Sequence, residues 1–177
     1  IVDEIQTGMG RTAEKFGYEH YGIAPDIFTL AKGLGNGLPV GAMVAKKTIA
    51  DAFGPGTHGS TFGGNPLAMA AAKAVLTTMF TEDFMSDVRE KAAYLAQLLE
   101  EEIKPLAQVV TVRQKGMMVG IECKSAVAPV VTELIANGIL TLVAGDNVLR
   151  LLPPLIATQE EIRTAIFRIK EAIEKVM

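Results

Sequence analysis

Three groups of residues in this 177-residue chain have the types and placement to do chemistry. Asp3 ends a short apolar stretch and leads into a Gly-rich segment. Lys32 follows the apolar run 27–31 directly and is succeeded by Gly33, Gly35 and Gly37. Ser60 and Thr61 stand side by side in a second Gly-rich segment, 54–65. A carboxylate at a strand end can hold a protonated ring nitrogen. An amine that is partly desolvated against apolar neighbours is a nucleophile toward carbonyl compounds. Paired hydroxyls beside free backbone N–H groups suit a phosphate. Each signal has a plainer reading when taken alone. A strand-end Asp commonly caps a turn, and most lysines are solvated surface charges.

These residues need elements to carry them. Residues 1–2 read as the end of a buried strand that delivers Asp3. Residues 27–31, led in by Pro25 and Asp26, read as a second buried strand that ends at Lys32. Residues 40–45 look like a third strand, and 46–53 a short helix or turn. Pro66 suits a helix's first turn, and 67–80 is Ala-rich and apolar nearly all round, which predicts a buried helix. Thr81 reads as the N-cap of an amphipathic helix with Phe84, Val88, Leu95, Leu99 and Ile103 on one face, stopped by Pro105. Strands are expected at 109–112 and 117–123, a helix at 128–137 closing on Gly138, and strands at 139–143 and 148–152. A last helix opens with the capping box Thr158/Glu161 and carries Ile162, Ile166, Ile169, Ile173 and Val176 on one face. The character changes near residue 80, from Gly-rich loops to regular α+β alternation. The boundary is therefore expected there, giving domains 1–80 and 81–177.

Composition narrows the classes. At 49% hydrophobic and 21% charged residues, the chain can bury a core. A net charge of −3 gives no electrostatic case for nucleic acid or an anionic membrane. No apolar run reaches the length of a membrane span, since Lys73 interrupts the best candidate at 67–76. No signal segment opens the chain. Cys123, the single cysteine, is read as a small core hydrophobe; with no disulfide possible within the chain, a reducing cytoplasmic location is expected. No spacing fits a metal site. His20 and His58 read as polar loop residues. The chain begins Ile-Val-Asp-Glu, within an apparent strand, so it is expected to be part of a longer protein.

The text around these residues closely resembles the class III (ω-amino acid) aminotransferases. Three motifs agree in order and spacing: Asp3-Glu4-Ile5-Gln6-Thr7-Gly8-Met9-Gly10-Arg11-Thr12, then Pro25-Asp26-Ile27-Phe28-Thr29-Leu30-Ala31-Lys32-Gly33, then Gly59-Ser60-Thr61-Phe62-Gly63-Gly64-Asn65-Pro66. The resemblance covers the whole chain but only the second half of the family's usual length. It implies the α/β architecture of fold type I pyridoxal-phosphate (PLP) enzymes, here an incomplete large domain followed by an α+β small domain. It implies that Lys32 holds PLP as a Schiff base and moves the reacting proton, that Asp3 pairs with the pyridine nitrogen, and that Gln6 contacts the ring's 3′-oxygen. Thr61, with Ser60 beside it, would bind the phosphate in the neighbouring subunit of a homodimer.

Arg150 matches the small-domain arginine that clamps a substrate carboxylate; a structural ion pair is its other reading. The implied activity moves the terminal amino group of N-acetylornithine, or a related ω-amino acid, to 2-oxoglutarate. The alternatives are a catalytically silent C-terminal fragment, or an enzyme of the same class acting on ornithine, succinylornithine or 4-aminobutyrate. One departure is local: Ala13 stands where the family usually has Gly, which is expected to restrict that loop. Another is large: the family's first half supplies an aromatic that stacks on the cofactor and further strands of the sheet. A partial large domain is expected to expose strand edges and to oligomerise or aggregate.

Overall fold

The computed structural model describes residues 1–177, which divide into two compact units, Ile1–Ser86 and Asp87–Met177. The division falls inside a helix rather than at residue 80.

The first unit is built on a three-stranded sheet of order β1-β2-β3: β1 (Val2–Asp3), β2 (Ile27–Leu30) and β3 (Ala42–Ala45). β1 runs parallel to β2 with Asp3 opposite Thr29, and β3 is antiparallel to β2. A short helix α1 (Lys47–Ala50) follows β3. Helix α2 (Pro66–Met79) starts on Asn65, whose side-chain oxygen accepts the Ala68 N–H at 2.9 Å, with Pro66 in the first turn. The core is small. Met9, Leu30, Leu34 and Ala72 form its buried centre, with Phe16, Phe28, Val75 and Phe80 packed against it.

Two expectations fail here. β1 is not buried: Val2 is half-buried and Asp3 exposed. Nor is α2 covered all round. Only Ala68 and Ala72 are buried, while Leu67 is 69% exposed and Met69 is exposed too. A three-stranded sheet is wide enough to cover one face of a helix, so the remaining apolar face has nothing on it.

The second unit follows its pattern closely, except that the strand expected over 139–143 forms only at Leu142–Ala144. Helix α3 (Glu82–Leu98) begins at Thr81, whose hydroxyl accepts the Phe84 N–H at 3.3 Å. It continues as one wide turn, Leu99–Ile103, in which the Lys104 N–H reaches the Leu99 carbonyl, and ends before Pro105. A four-stranded antiparallel sheet of order β4-β5-β7-β6 follows, from β4 (Val109–Lys115), β5 (Met118–Cys123), β6 (Leu142–Ala144) and β7 (Val148–Leu151). Burial alternates along β5 and β7: Val119, Ile121 and Cys123, then Leu149 and Leu151, face inward. Helix α4 (Ala128–Ala136) closes at Gly138, whose φ of 79° lies in the left-handed region. Helix α5 (Gln159–Val176) has the capping box of Thr158 and Glu161 and buries Ile162, Ile166, Ile169 and Ile173. Cys123 is fully buried, and that burial pushes its thiol pKa up, as suits a core residue. No helix is long and apolar enough to cross a membrane.

Candidate active site

Parallel pairing of β1 with β2 puts their carboxyl ends at one edge of the sheet, and Asp3 and Lys32 both leave from that edge. In open α/β sheets this edge is where ligands bind. Lys32 begins a tight turn. The Leu34 N–H reaches the Ala31 carbonyl at 2.9 Å and the Gly35 N–H reaches the Lys32 carbonyl at 3.2 Å. Gly35 is required there, since a Cβ would lie 2.0 Å from the Leu38 carbonyl oxygen. Lys32 itself has φ 45°, in the left-handed region. A non-glycine residue held there costs on the order of 1–3 kcal/mol, a strain typical of functional positions. The expected desolvation of its ammonium is not found, because Lys32 is exposed. The strand itself ends at Leu30, and the turn that follows carries the side chain clear of the core.

The Asp3 carboxylate is tied by one oxygen only. Its Oδ1 accepts the Ile5 N–H at 2.9 Å and the Thr29 hydroxyl at 3.2 Å. Its Oδ2 accepts no hydrogen bond from the chain. Gln6 lies in the turn after β1, half-buried, with its amide bonded to nothing. An exposed amine, a carboxylate with one oxygen free and an unpartnered amide thus share a sheet edge and its adjoining loop.

Ser60 and Thr61 lie elsewhere in the unit, in the loop that precedes α2. Both are exposed and neither side chain is hydrogen-bonded. The loop is fixed at its end by Asn65, whose amide donates to the Phe62 carbonyl at 2.9 Å. Arg150 belongs to the second unit. It points away from the core side of β7, opposite Gly120, which has no side chain to crowd it. It makes no ion pair, and its Nε is buried without a hydrogen-bond partner. Within this chain, then, the Arg150 guanidinium has no carboxylate partner.

Glu4 was not singled out as a site residue by its sequence. It is 1% exposed, and its carboxylate accepts the Thr7 hydroxyl at 2.6 Å and the N–H groups of Gly17 and Tyr18 at 2.9 and 2.8 Å. Its backbone N–H reaches the Thr29 carbonyl at 3.0 Å. Glu4 therefore closes the loop from β1 to the helical turn Gly17–Tyr21 and seats Asp3 and Gln6 on a rigid base. The available signal was an acidic residue directly after a strand end, facing a Gly-rich loop with N–H groups to satisfy. Nearby, burial lowers the Arg11 pKa, and desolvation, then Glu19 and Glu4, raise that of Tyr18.

The family model for class III aminotransferases matches residues 1–173. The chain belongs to this family. It is 56% identical over 175 residues to acetylornithine aminotransferase from Listeria innocua, covering 99% of this chain and 46% of that protein. It is 54% identical over 173 residues to the Bacillus subtilis acetylornithine aminotransferase, covering 98% and 45%. Among solved structures, it matches an ornithine aminotransferase from Toxoplasma gondii with partial occupancy of PLP at its active site. That match has a TM-score of 0.92 at 35% identity and covers 99% of this chain and 42% of the other. The class III chain thus spans less than half the length of these relatives, and its fold is the corresponding part of the α/β architecture expected from the resemblance.

Proposed function

We propose that this chain carries the lysine side of a PLP-dependent aminotransferase site, in an enzyme that moves the terminal amino group of N-acetylornithine to 2-oxoglutarate. The observation that carries the reading is the shared sheet edge: Lys32 on a strained turn and a carboxylate with one oxygen free leave the same end of the β1–β2 pair. The donor set fits the cofactor, since an amine meets an aldehyde, a carboxylate meets a protonated ring nitrogen, and an amide meets a ring oxygen. PLP, when bound, supplies an aldehyde that accepts amino groups and a ring that stores the electron pair released when a substrate proton leaves.

Lys32 would hold the cofactor's aldehyde through its Nζ and, when free, would hold the reacting proton on the same atom. Asp3 Oδ2 would pair with a protonated ring nitrogen. The Gln6 amide would meet the ring's oxygen. Ser60 and Thr61, free of any partner in their own chain, would hold the phosphate of a neighbouring subunit. Arg150 presents an unpaired guanidinium to a substrate carboxylate, for which its planar fork is matched. The preference for the acetylated donor is supported by the names of the similar curated proteins.

The test has two parts. Borohydride reduction of the PLP-treated protein, followed by peptide mapping, is expected to mark Lys32; a label elsewhere, or none, rejects the site. Rates of the full-length protein with N-acetylornithine, ornithine and 4-aminobutyrate then decide the donor. A preference for 4-aminobutyrate rejects the acetylornithine assignment while leaving the cofactor site standing.

A further inference from the structure

Asp3 is held asymmetrically, through Oδ1 alone, and of the two donors on that oxygen the one from a side chain is Thr29. The two residues sit opposite each other in the parallel pairing of β1 with β2. The Thr29 hydroxyl donates to Asp3 Oδ1 at 3.2 Å, and the Thr29 carbonyl accepts the Glu4 N–H at 3.0 Å. Thr29 is thus joined to β1 twice, once through the side chain of Asp3 and once through the backbone just beyond it. Its branched Cβ restricts χ1, so the hydroxyl is a fixed donor rather than a swinging one. An Asp side chain, by contrast, rotates broadly about its last torsion. With only the Ile5 N–H to hold it, the carboxylate would sample orientations that Thr29 now forbids.

We propose that Thr29 is a positioning residue: it fixes Asp3 Oδ1 so that Oδ2 is the oxygen presented to the cofactor's ring nitrogen. The proposal rests on the PLP reading of this edge. Thr29 touches no reacting atom in it; it acts through Asp3. Because β2 ends at Leu30 and leads into the turn that Lys32 begins, one continuous segment sets the carboxylate and carries the amine.

The experiment uses the full-length protein with Thr29→Val, which keeps the shape and removes the hydroxyl, and Thr29→Ser, which keeps the hydroxyl. PLP affinity is read by absorbance titration of the apo protein, and the pH dependence of the bound cofactor's absorbance is followed alongside. Losing one hydrogen bond to a charged group predicts PLP binding weakened about tenfold in Thr29→Val. The pH profile of the absorbance should shift with it, and kcat should fall while KM for the amino donor holds. Thr29→Ser should restore affinity to within about twofold of wild type, since it returns the same donor.

A purely structural role would lower the melting temperature of Thr29→Val and leave the pH profile where it was, which overturns the proposal. So does a Ser variant that folds but is no better than Val. If Val does not fold, Thr29→Ala removes the same hydroxyl with a smaller side chain and is read the same way. Borohydride labelling of wild type separates the two levels. No label at Lys32 removes the cofactor reading and the Thr29 role with it. Labelled wild type with an indistinguishable Thr29→Val removes the Thr29 role alone.

Discussion

The two units of this chain treat their backbone and their apolar residues differently. Every non-glycine residue in the left-handed region, namely Met9, Ala13, Lys32 and Asn36, lies in the first unit. The second unit reserves that conformation for Gly116, Gly138 and Gly145, where it carries little strain. Both units leave large apolar side chains exposed, Phe62 and Leu67 in the first and Leu140 and Ile156 in the second, but the second has the deeper core: Val88, Ile103, Ile121, Val130, Leu149 and Ile173 are all completely buried. No apolar side chain of the first is buried so fully. Such strain is stable only where surroundings over-determine it. In the first unit those surroundings are polar, the buried carboxylate of Glu4 chief among them, and not a thick core. Stability and site chemistry are thus unevenly divided between the two stretches of sequence.

The largest effect that could break this contrast is a truncation in each core. Leu149→Ala in β7 should cost about 2–5 kcal/mol, because a fully buried leucine leaves a cavity that the sheet fills only in part. Leu67→Ala on the open face of α2 should stay within about 0.5 kcal/mol. Chemical denaturation measures both. Equal losses would mean that the exposed face of α2 is covered in solution, and the contrast would describe only an isolated chain. A smaller effect of opposite sign is expected at Lys32. Lys32→Gly relieves a left-handed non-glycine residue, worth about 1–2 kcal/mol, against roughly 0.5–1 kcal/mol of added chain entropy in the unfolded state. The variant should be slightly more stable than wild type and take up no covalent PLP. A less stable Lys32→Gly would show that the lysine side chain supports the fold and is not held there for chemistry.

What the sequence made legible follows the same division. In the second unit, alternation along β5 and β7 and the 3.6-residue spacing of Ile162, Ile166, Ile169 and Ile173 are local signals, and the core that satisfies them lies within the unit. The cap at Thr158 and the stop before Pro105 were readable for the same reason. In the first unit, the apolar run of α2 predicted burial that nothing in this chain provides, because periodicity reports what a helix needs and not what covers it. Lys32 was readable as a position from the Gly-rich turn and the family motifs. Its exposure and its left-handed backbone were not, since both depend on the turn closing through Gly35 against the Leu38 carbonyl. Glu4 and Thr29 were quoted within motifs without a role. Their parts emerge only once the parallel pairing sets Asp3 opposite Thr29 and the Gly17–Tyr21 turn folds back onto Glu4.

Ala13 offers a finer measure of the first unit's strain. Its φ of 67° is the conformation glycine adopts freely, although Ala13 carries a Cβ. Ala13→Gly should stabilise by about 0.5–1 kcal/mol, the relief of strain less the entropy that glycine adds to the unfolded state. Unlike Lys32→Gly, it should leave PLP uptake intact. A destabilised Ala13→Gly would mean that the packing of the buried Ala13 methyl outweighs its backbone strain.

The smallest effect separates the units by acid. Hydrogen bonding from the Thr158 backbone, then from its hydroxyl, holds the Glu161 carboxyl below its ordinary value of 4.5. A depressed folded pKa stabilises above the unfolded value and is lost as pH falls through the folded one. The second unit should therefore lose stability below about pH 4.5, and Glu161→Gln, which keeps an acceptor but cannot titrate, should flatten that slope. In the first unit, Asp26 is lowered by its bond to Lys46, but both side chains are largely exposed, at 66% and 51%. Salt screens a pair of that kind and has little hold on a carboxylate bonded at 2.7 Å to a backbone N–H. Raising ionic strength should thus erase the Asp26 contribution, read as the difference from Asp26→Asn, while the Glu161 slope persists. If salt removes both, the cap of α5 acts only through its charge, and the second unit's acid response is no better protected than the first's.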